Sequence, residues 1–233
     1  MSTKLIIKDE FHFNGYAVPW PFTSVTVGTP TGVAMNGGQV DLALAATNEV
    51  ESVRLSMGDM LAYPIANIIE MSFWAKVTAS LNAAVTVSMG LAAAGNAAPT
   101  SIAARSFFRL IGNNNVAINT YDGTLTNSDV STGFLLANAF TKFTMNFADG
   151  TVTIGPPSSQ KGGQGGQRDI LYRMEQQLGA SAANTVLRQV GKRTLFDMGN
   201  YSGGLQPYFQ IQKTASTAVG TLSIRRIEVS YKL

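Results

Sequence analysis

Cysteine is absent from this 233-residue chain, histidine occurs once, and charged residues make up only 13%. That charge content is about half the roughly 25% usual in soluble domains. Without cysteine there is no disulfide staple and no thiolate metal site. A single imidazole excludes metal centres built on two or more histidines. A Ser-His-Asp or Cys-His nucleophile would have to use His12, which stands between Phe11 and Phe13, where a structural role is the plainer reading. No nucleophile elbow is present. The Gly162-Gly163-Gln164-Gly165-Gly166 run lacks the Lys-Ser/Thr ending of a phosphate-binding loop and reads as linker. No window approaches the ~18 apolar residues of a membrane span. The N-terminus has only Leu5, Ile6 and Ile7 before charge returns, too little for a signal peptide. The expectation is a soluble protein made in a cytoplasm, with no membrane partner.

Hydrophobic residues make up 45% of the chain, enough for a substantial core, which excludes disorder throughout. The net charge of +3 is local. Lys161, Arg168, Arg173, Arg188, Lys192 and Arg193 face only Asp169 and Glu175 between Pro156 and Arg193, while the remainder is nearly neutral. A basic face spread over the fold is therefore not expected, and neither is a specific nucleic-acid partner. A low-charge surface suits a protein covered by neighbours in an assembly.

From Val40 onward the hydrophobic period is two. Val40, Leu42 and Leu44 alternate with polar or small residues, as do Met71–Val77, Val85–Leu91 and Phe143–Phe147. Each is a half-buried strand. Asn113-Asn114-Asn115, Tyr121-Asp122-Gly123 and Asp149-Gly150 supply turn chemistry between them. Near the C-terminus Leu222 and Ile224 shift parity to Ile227, Val229 and Tyr231, which predicts a bulge at Arg225-Arg226. Roughly ten to twelve strands with this spacing, and no strand-helix alternation, predict an all-β fold, an antiparallel two-sheet jelly-roll sandwich.

Two segments depart from the pattern. Residues 1–38 read as an extended N-terminal arm and edge segment, with Pro19 and Pro21 around Trp20. Residues 39–233 form the sandwich, interrupted over 156–193 by a Gly-rich linker and an amphipathic helical insertion. There Ile170, Leu171, Met174 and Leu178 recur at helical spacing, with Val186, Leu187 and Val190 in a second short run. Tyr16, Trp20 and Phe22 in the arm are candidate partner contacts. So are Arg168, Ile170, Leu171, Arg173, Met174, Leu178, Arg188, Lys192 and Arg193 in the insertion.

Catalytic chemistry is sparse. Glu49 and Glu51 are the one alternating acid pair, read as a strand edge, and Asp59, Glu70, Asp122, Asp129, Asp149 and Glu228 read as isolated, solvated positions. Glycosidases need two carboxylates flanking the sugar, and no such arrangement stands out. Asp122 and Asp129 match no dedicated calcium loop. No catalytic residue, cofactor or metal ligand is assigned, and the expectation is a protein that is not an enzyme. Trp20, Trp74, Tyr121 and Tyr201 are candidate platforms for sugar stacking.

Arg105-Ser-Phe-Phe-Arg-Leu-Ile-Gly-Asn-Asn-Asn-Val-Ala-Ile-Asn-Thr-Tyr-Asp-Gly-Thr resembles the central strands of lectin-like (concanavalin-type) jelly rolls in structural proteins of tailed bacteriophages. So do Leu195–Thr214, Val53–Leu61 and the Phe73–Leu91 strand pair. The resemblance implies a virion protein on the capsid exterior, of the decoration or cement type. Its partners would be the major capsid protein and copies of itself, a homo-oligomer with a trimer as one candidate state. The alternative is a carbohydrate-binding jelly-roll module of a fibre or adhesin, with a glycan as partner.

Overall fold

The structure, a computed structural model, describes residues 4–9, 22–59, 62–77, 81–95, 99–124, 126–147, 167–178, 186–197 and 200–232. These form two antiparallel sheets facing each other, as the period-two pattern requires. In chain order the strands are β1 (Lys4–Asp9), β2 (Thr23–Val27), β3 (Gly32–Asn36), β4 (Gln39–Ala43), β5 (Glu49–Ser56), β6 (Tyr63–Pro64), β7 (Ile68–Val77) and β8 (Val85–Ala92). They continue as β9 (Arg105–Ile111), β10 (Asn115–Tyr121), β11 (Thr126–Leu135), β12 (Thr141–Asn146), β13 (Gln167–Leu178), β14 (Val186–Asp197), β15 (Gly204–Ser216) and β16 (Thr221–Lys232). The first sheet runs β14-β13-β12-β7-β16-β4-β3, with β1 also on β16. The second runs β11-β10-β9-β8-β15-β5-β2, with β6 on β15. The jelly-roll sandwich expected from the sequence is the fold.

The inward positions of both sheets interlock through aromatic rings. Phe73 and Phe143 of the first sheet stack with centroids 5.2 Å apart. Phe73 meets Phe209 of the second sheet edge-on at 5.0 Å, and Phe143 meets Phe108 at 4.9 Å. All four are fully buried, and such pairs contribute about 0.5–1.5 kcal/mol beyond their buried area. One polar link also crosses the core: Ser106 Oγ and Tyr172 OH lie 2.6 Å apart.

The expected bulge in β16 is present. Its register against β7 slips between Arg225 and Ile227, and Arg226 takes φ +57°. The extra residue lets Ile224 and Ile227 both point inward, although strict alternation would put them on opposite faces.

The helical insertion is corrected. Gln167–Leu178 and Val186–Asp197 are strands that pair with each other along their full length, and β13 also pairs with β12. Ile170, Tyr172 and Met174 face the core with zero exposure. The alternation was hidden because the next inward position is Gln176. Its amide nitrogen donates there to Thr141 Oγ1 at 2.7 Å and to the Ala137 and Ala139 carbonyls. The linker residues 155–166 and the expected Asp149-Gly150 turn lie outside the described residues. Of the segment expected as an arm, β1, β2 and β3 are strands of the two sheets. Residues 10–21, His12 among them, lie outside the described residues.

Candidate functional site

The outer face of the second sheet carries the most unusual set of side chains, and strand register arranges it in rows. One transverse row reads Val27, Ser52, Gln212, Thr86, Ile111. The next reads Val25, Arg54, Gln210, Ser88, Arg109, Ala117. A third reads Ser56, Tyr208, Gly90, Phe107, Asn119, and a fourth Gln206, Ala92, Arg105, Tyr121. Side chains on alternate residues share a face, so one polar surface is built from five or more strands.

Part of that surface is roofed by the β8–β9 connection. Ile102 packs on Ala92, Phe107 and Tyr208 in a small cluster separate from the main core. Gly90 makes this packing workable. It sits between Phe107 and Tyr208 in the row, and the two rings meet across it at 5.3 Å. Its φ is +152°, and a Cβ there would come within 2.2 Å of the Ser106 carbonyl oxygen, so only glycine fits.

The remaining part is an open groove of about 340 Å³. Ser52, Thr86 and Gln212 form its floor, Arg109 stands at one wall, and Pro99 and Thr100 of the roofing connection form another. Hydrogen bonds fix the floor. Tyr208 OH donates to Gln210 Oε1, and Gln210 Nε2 donates to Gln212 Oε1 at 2.7 Å. Arg109 Nη1 donates to both oxygens of Asp129 at 2.8 Å. Arg105 Nε donates to Asn119 Oδ1 at 2.7 Å, and Asn119 Nδ2 donates to Asp129 at 3.3 Å. Burial first, and then the neighbouring Arg109, lower the pKa of the Arg105 guanidinium. Tyr208, pushed up to about 12 by burial, stays a neutral donor.

Exposed apolar residues lie along this sheet, and Val27 and Val50 among them line the groove. Val25, Val27, Val50, Ile111 and Leu135 are each 41–60% exposed. They account for all but one of the large hydrophobic residues exposed among those described, the exception being Val219. A polar floor bordered by exposed Val27 and Val50 is the composition of a binding face rather than of an ordinary solvated one.

The acids do not assemble into catalytic machinery. On the second sheet's outer face, Asp129 is the one strand carboxylate among the described residues, and Arg109 holds it. Glu51, expected at a strand edge, is buried with zero exposure against Lys213 Nζ at 3.3 Å. Asp122, expected as a solvated turn, is buried and accepts from the Thr124 amide and from Asn200 Nδ2. Two facing carboxylates with room for a sugar between them are not formed by these groups. Among the described residues no cluster of three or more acids or histidines could hold a metal ion.

The residues singled out in the sequence lie elsewhere. Phe22, Ile170 and Met174 belong to the main core, and Leu171 is 8% exposed; burial withdraws them as partner contacts. Arg173 is half-buried on the outer face of the first sheet, where it already interacts. Arg168, Leu178, Arg188, Lys192 and Arg193 fall on the backbones of β13 and β14, their side chains outside the described residues. Tyr16 and Trp20 lie outside them entirely. Trp74 sits on the outer face of the first sheet with Arg226 at 4.9 Å and Lys142 at 5.3 Å from its ring. Tyr121 lies under Arg105, and Tyr201 donates to the Gly204 carbonyl. Arg54, Arg105, Arg109, Gln210, Gln212 and Lys213 were missed. Their signal was in the sequence: Arg105 and Arg109 in RSFFRLI, and Gln206, Gln210 and Gln212 in β15, occupy the outward parity of otherwise apolar strands.

The sequence matches no protein-family model and no curated protein. Solved structures with the same fold do exist. A non-specific endo-β-1,3(4)-glucanase of family GH16, SCLam, superposes with a TM-score of 0.64 at 8% identity, over 99% of this chain and 92% of its own. The carbohydrate recognition domain of Emp47p gives 0.57 at 10% identity, over 97% and 94%. A protein of unknown function from Shewanella oneidensis MR-1 gives 0.58 at 14% identity, over 100% and 87%. These likenesses establish the lectin-like, concanavalin-type jelly-roll sandwich, a fold that serves both enzymes and recognition domains.

Proposed function

We propose that this chain is a carbohydrate-binding module without catalytic activity, and that the groove on the outer face of the second sheet takes the saccharide. The observation that carries the proposal is the groove itself. Its floor of Ser52, Thr86 and Gln212 offers hydroxyl and amide groups for sugar hydroxyls, and its aliphatic rim suits the C–H faces of the rings. The fold shared with a glucanase and a carbohydrate recognition domain supports this reading. That no two described carboxylates face each other across the groove supports binding over hydrolysis. Affinity electrophoresis through gels containing β-1,3-glucan, β-1,3-1,4-glucan, polygalacturonate or dextran sulfate tests it. Retardation by at least one polymer, weakened in Gln212→Ala, is expected, with no reducing sugar released. Release of reducing ends would make the chain an enzyme.

A second reading is favoured by the exposed Val25, Val27, Val50 and Ile111. The same face would then pack on another protein, as a virion decoration protein packs on a capsid and on its own copies. Light scattering separates the two: a stable oligomer abolished by Val27→Asp, together with no retardation by any polymer, would favour assembly.

A further inference from the structure

The groove's neighbouring row holds donors left unused among the described residues. Arg54 Nε, Ser88 Oγ and Arg109 Nε are buried and have no hydrogen-bond partner there. Arg54 and Arg109 are 7% exposed and Ser88 1%. All three stand in one transverse row, with Ser88 directly beside Arg109 and Arg54 across Gln210. Leaving a buried donor unsatisfied costs about 1–3 kcal/mol, and more for a charged group. Three in one row of a binding face mark a place where an external acceptor completes the structure.

Charge gives the chemistry of that acceptor. Arg54, Arg105 and Arg109 stand on this face against Asp129, the Glu51 and Lys213 that also line the groove pair with each other, and Arg109 stands close enough to Arg105 to disfavour its charge. Guanidinium N–H groups prefer planar or tetrahedral oxyanions to neutral hydroxyls.

We infer that the saccharide bound here is anionic, with a carboxylate or sulfate group received by Arg109 and Ser88. This rests on the carbohydrate-binding reading. Arg54 and Arg109 are three strand spacings apart, about 14 Å between backbones, so a second anionic group on the same chain reaches Arg54. The ligand is thus an oligomer with repeated acidic units. The outer face of the first sheet is a weaker candidate, because none of its described cations has a buried donor without a partner. Arg225 and Lys76 lie over Phe140, and Arg226 pairs with Glu228 and lies over Trp74.

The test is titration calorimetry with matched pairs of polymers: polygalacturonate against its fully methyl-esterified form, and dextran sulfate against dextran. Binding to the charged member of a pair, at least tenfold tighter than to the neutral one, is expected. The pair that responds tells carboxylate from sulfate. Ser88→Ala should weaken that binding about tenfold without lowering the melting temperature, since it removes an unsatisfied buried hydroxyl. Arg109→Lys should weaken it while keeping the charge. The control Arg225→Gln, on the first sheet, should bind as the native chain does. Equal binding of charged and neutral polymers, lost in Gln212→Ala, would overturn the anionic inference and leave the saccharide reading standing. No binding to any of the four, nor to the β-glucans, would remove the saccharide reading itself. Anion binding unchanged in Ser88→Ala and Arg109→Lys, or lost in Arg225→Gln, would place the anion away from this row.

Discussion

Replacing Lys213 by Met would leave one of the driest charges in the molecule without its counter-ion. Lys213 and Glu51 are both fully buried, with Nζ and Oε1 3.3 Å apart. Lys213 Nζ also donates to the carbonyls of Ala45 and Thr47 at 2.6 Å each. Glu51 Oε2 accepts from the Ala45 amide at 2.8 Å, and Thr47 Oγ1 donates to Oε1. The pair therefore clasps the β4–β5 connection onto β15, beside the groove. In Lys213→Met the carboxylate keeps one amide and one hydroxyl but loses its cation. Breaking a buried pair on one side costs about 3–5 kcal/mol. For a chain of this size that lowers the melting temperature by about 6–20 °C. Calorimetry on the native chain, Lys213→Met, Glu51→Gln and the double variant measures it. Glu51→Gln/Lys213→Met should recover more than half the loss, because it removes both charges while the side-chain amide introduced at position 51 still accepts from the Ala45 N–H. A loss below about 1 kcal/mol in Lys213→Met would refute the reasoning, by showing that water reaches the pair.

Three other outcomes follow from the fold. Gly90→Ala should cost about 1–3 kcal/mol in urea unfolding from its backbone conformation alone, and more from the clash with the Ser106 carbonyl, with loss of the groove's roof. Deleting 160–192 should yield insoluble protein, because β13 carries Ile170, Tyr172 and Met174 of the core; a soluble, cooperatively melting deletion variant would contradict the sheet pairing. Burial raises the pKa of Tyr172 and, less strongly, of Tyr208. Their stabilisation is complete below the unfolded phenol value of about 10 and lost above it, where the unfolded chain ionises first. The urea midpoint should therefore fall as the pH rises through about 10, less steeply in Tyr172→Phe.

Legibility tracked burial on one side of a strand. Where a single face was apolar, as in Met71–Val77 or Val85–Leu91, parity alone placed the strand. The same logic found the β16 bulge, since Ile224 and Ile227 can both face inward only if the strand gains a residue. It failed at β13, where Gln176 occupies an inward position and Leu171 is largely covered on the outer face, so an alternating strand mimicked a helical stripe. The binding face was harder still. Arg105, Arg109, Gln210 and Gln212 sit at outward positions that normally read as solvated. Only register across β9, β8 and β15 brings them together. Lys213 lies in the same strand as those glutamines but points the other way, and nothing local to it announces Glu51, which is 162 residues distant in sequence. Jelly-roll folds serve many functions, so the resemblance that indicated the fold could not choose between a capsid and a glycan.

Hydrogen exchange with and without polymer tests the central claim most directly, since it locates the contact as well as detecting it. The native chain would be incubated with saturating polygalacturonate, dextran sulfate or β-1,3-glucan, and deuterium uptake compared segment by segment. At least one polymer is expected to slow exchange in 50–54, 84–88, 99–101 and 210–214, the segments bearing the groove, with the first sheet unchanged. Protection confined to the first sheet around Trp74 and Arg225, or no protection with any polymer, would contradict the assignment of this groove as a saccharide site.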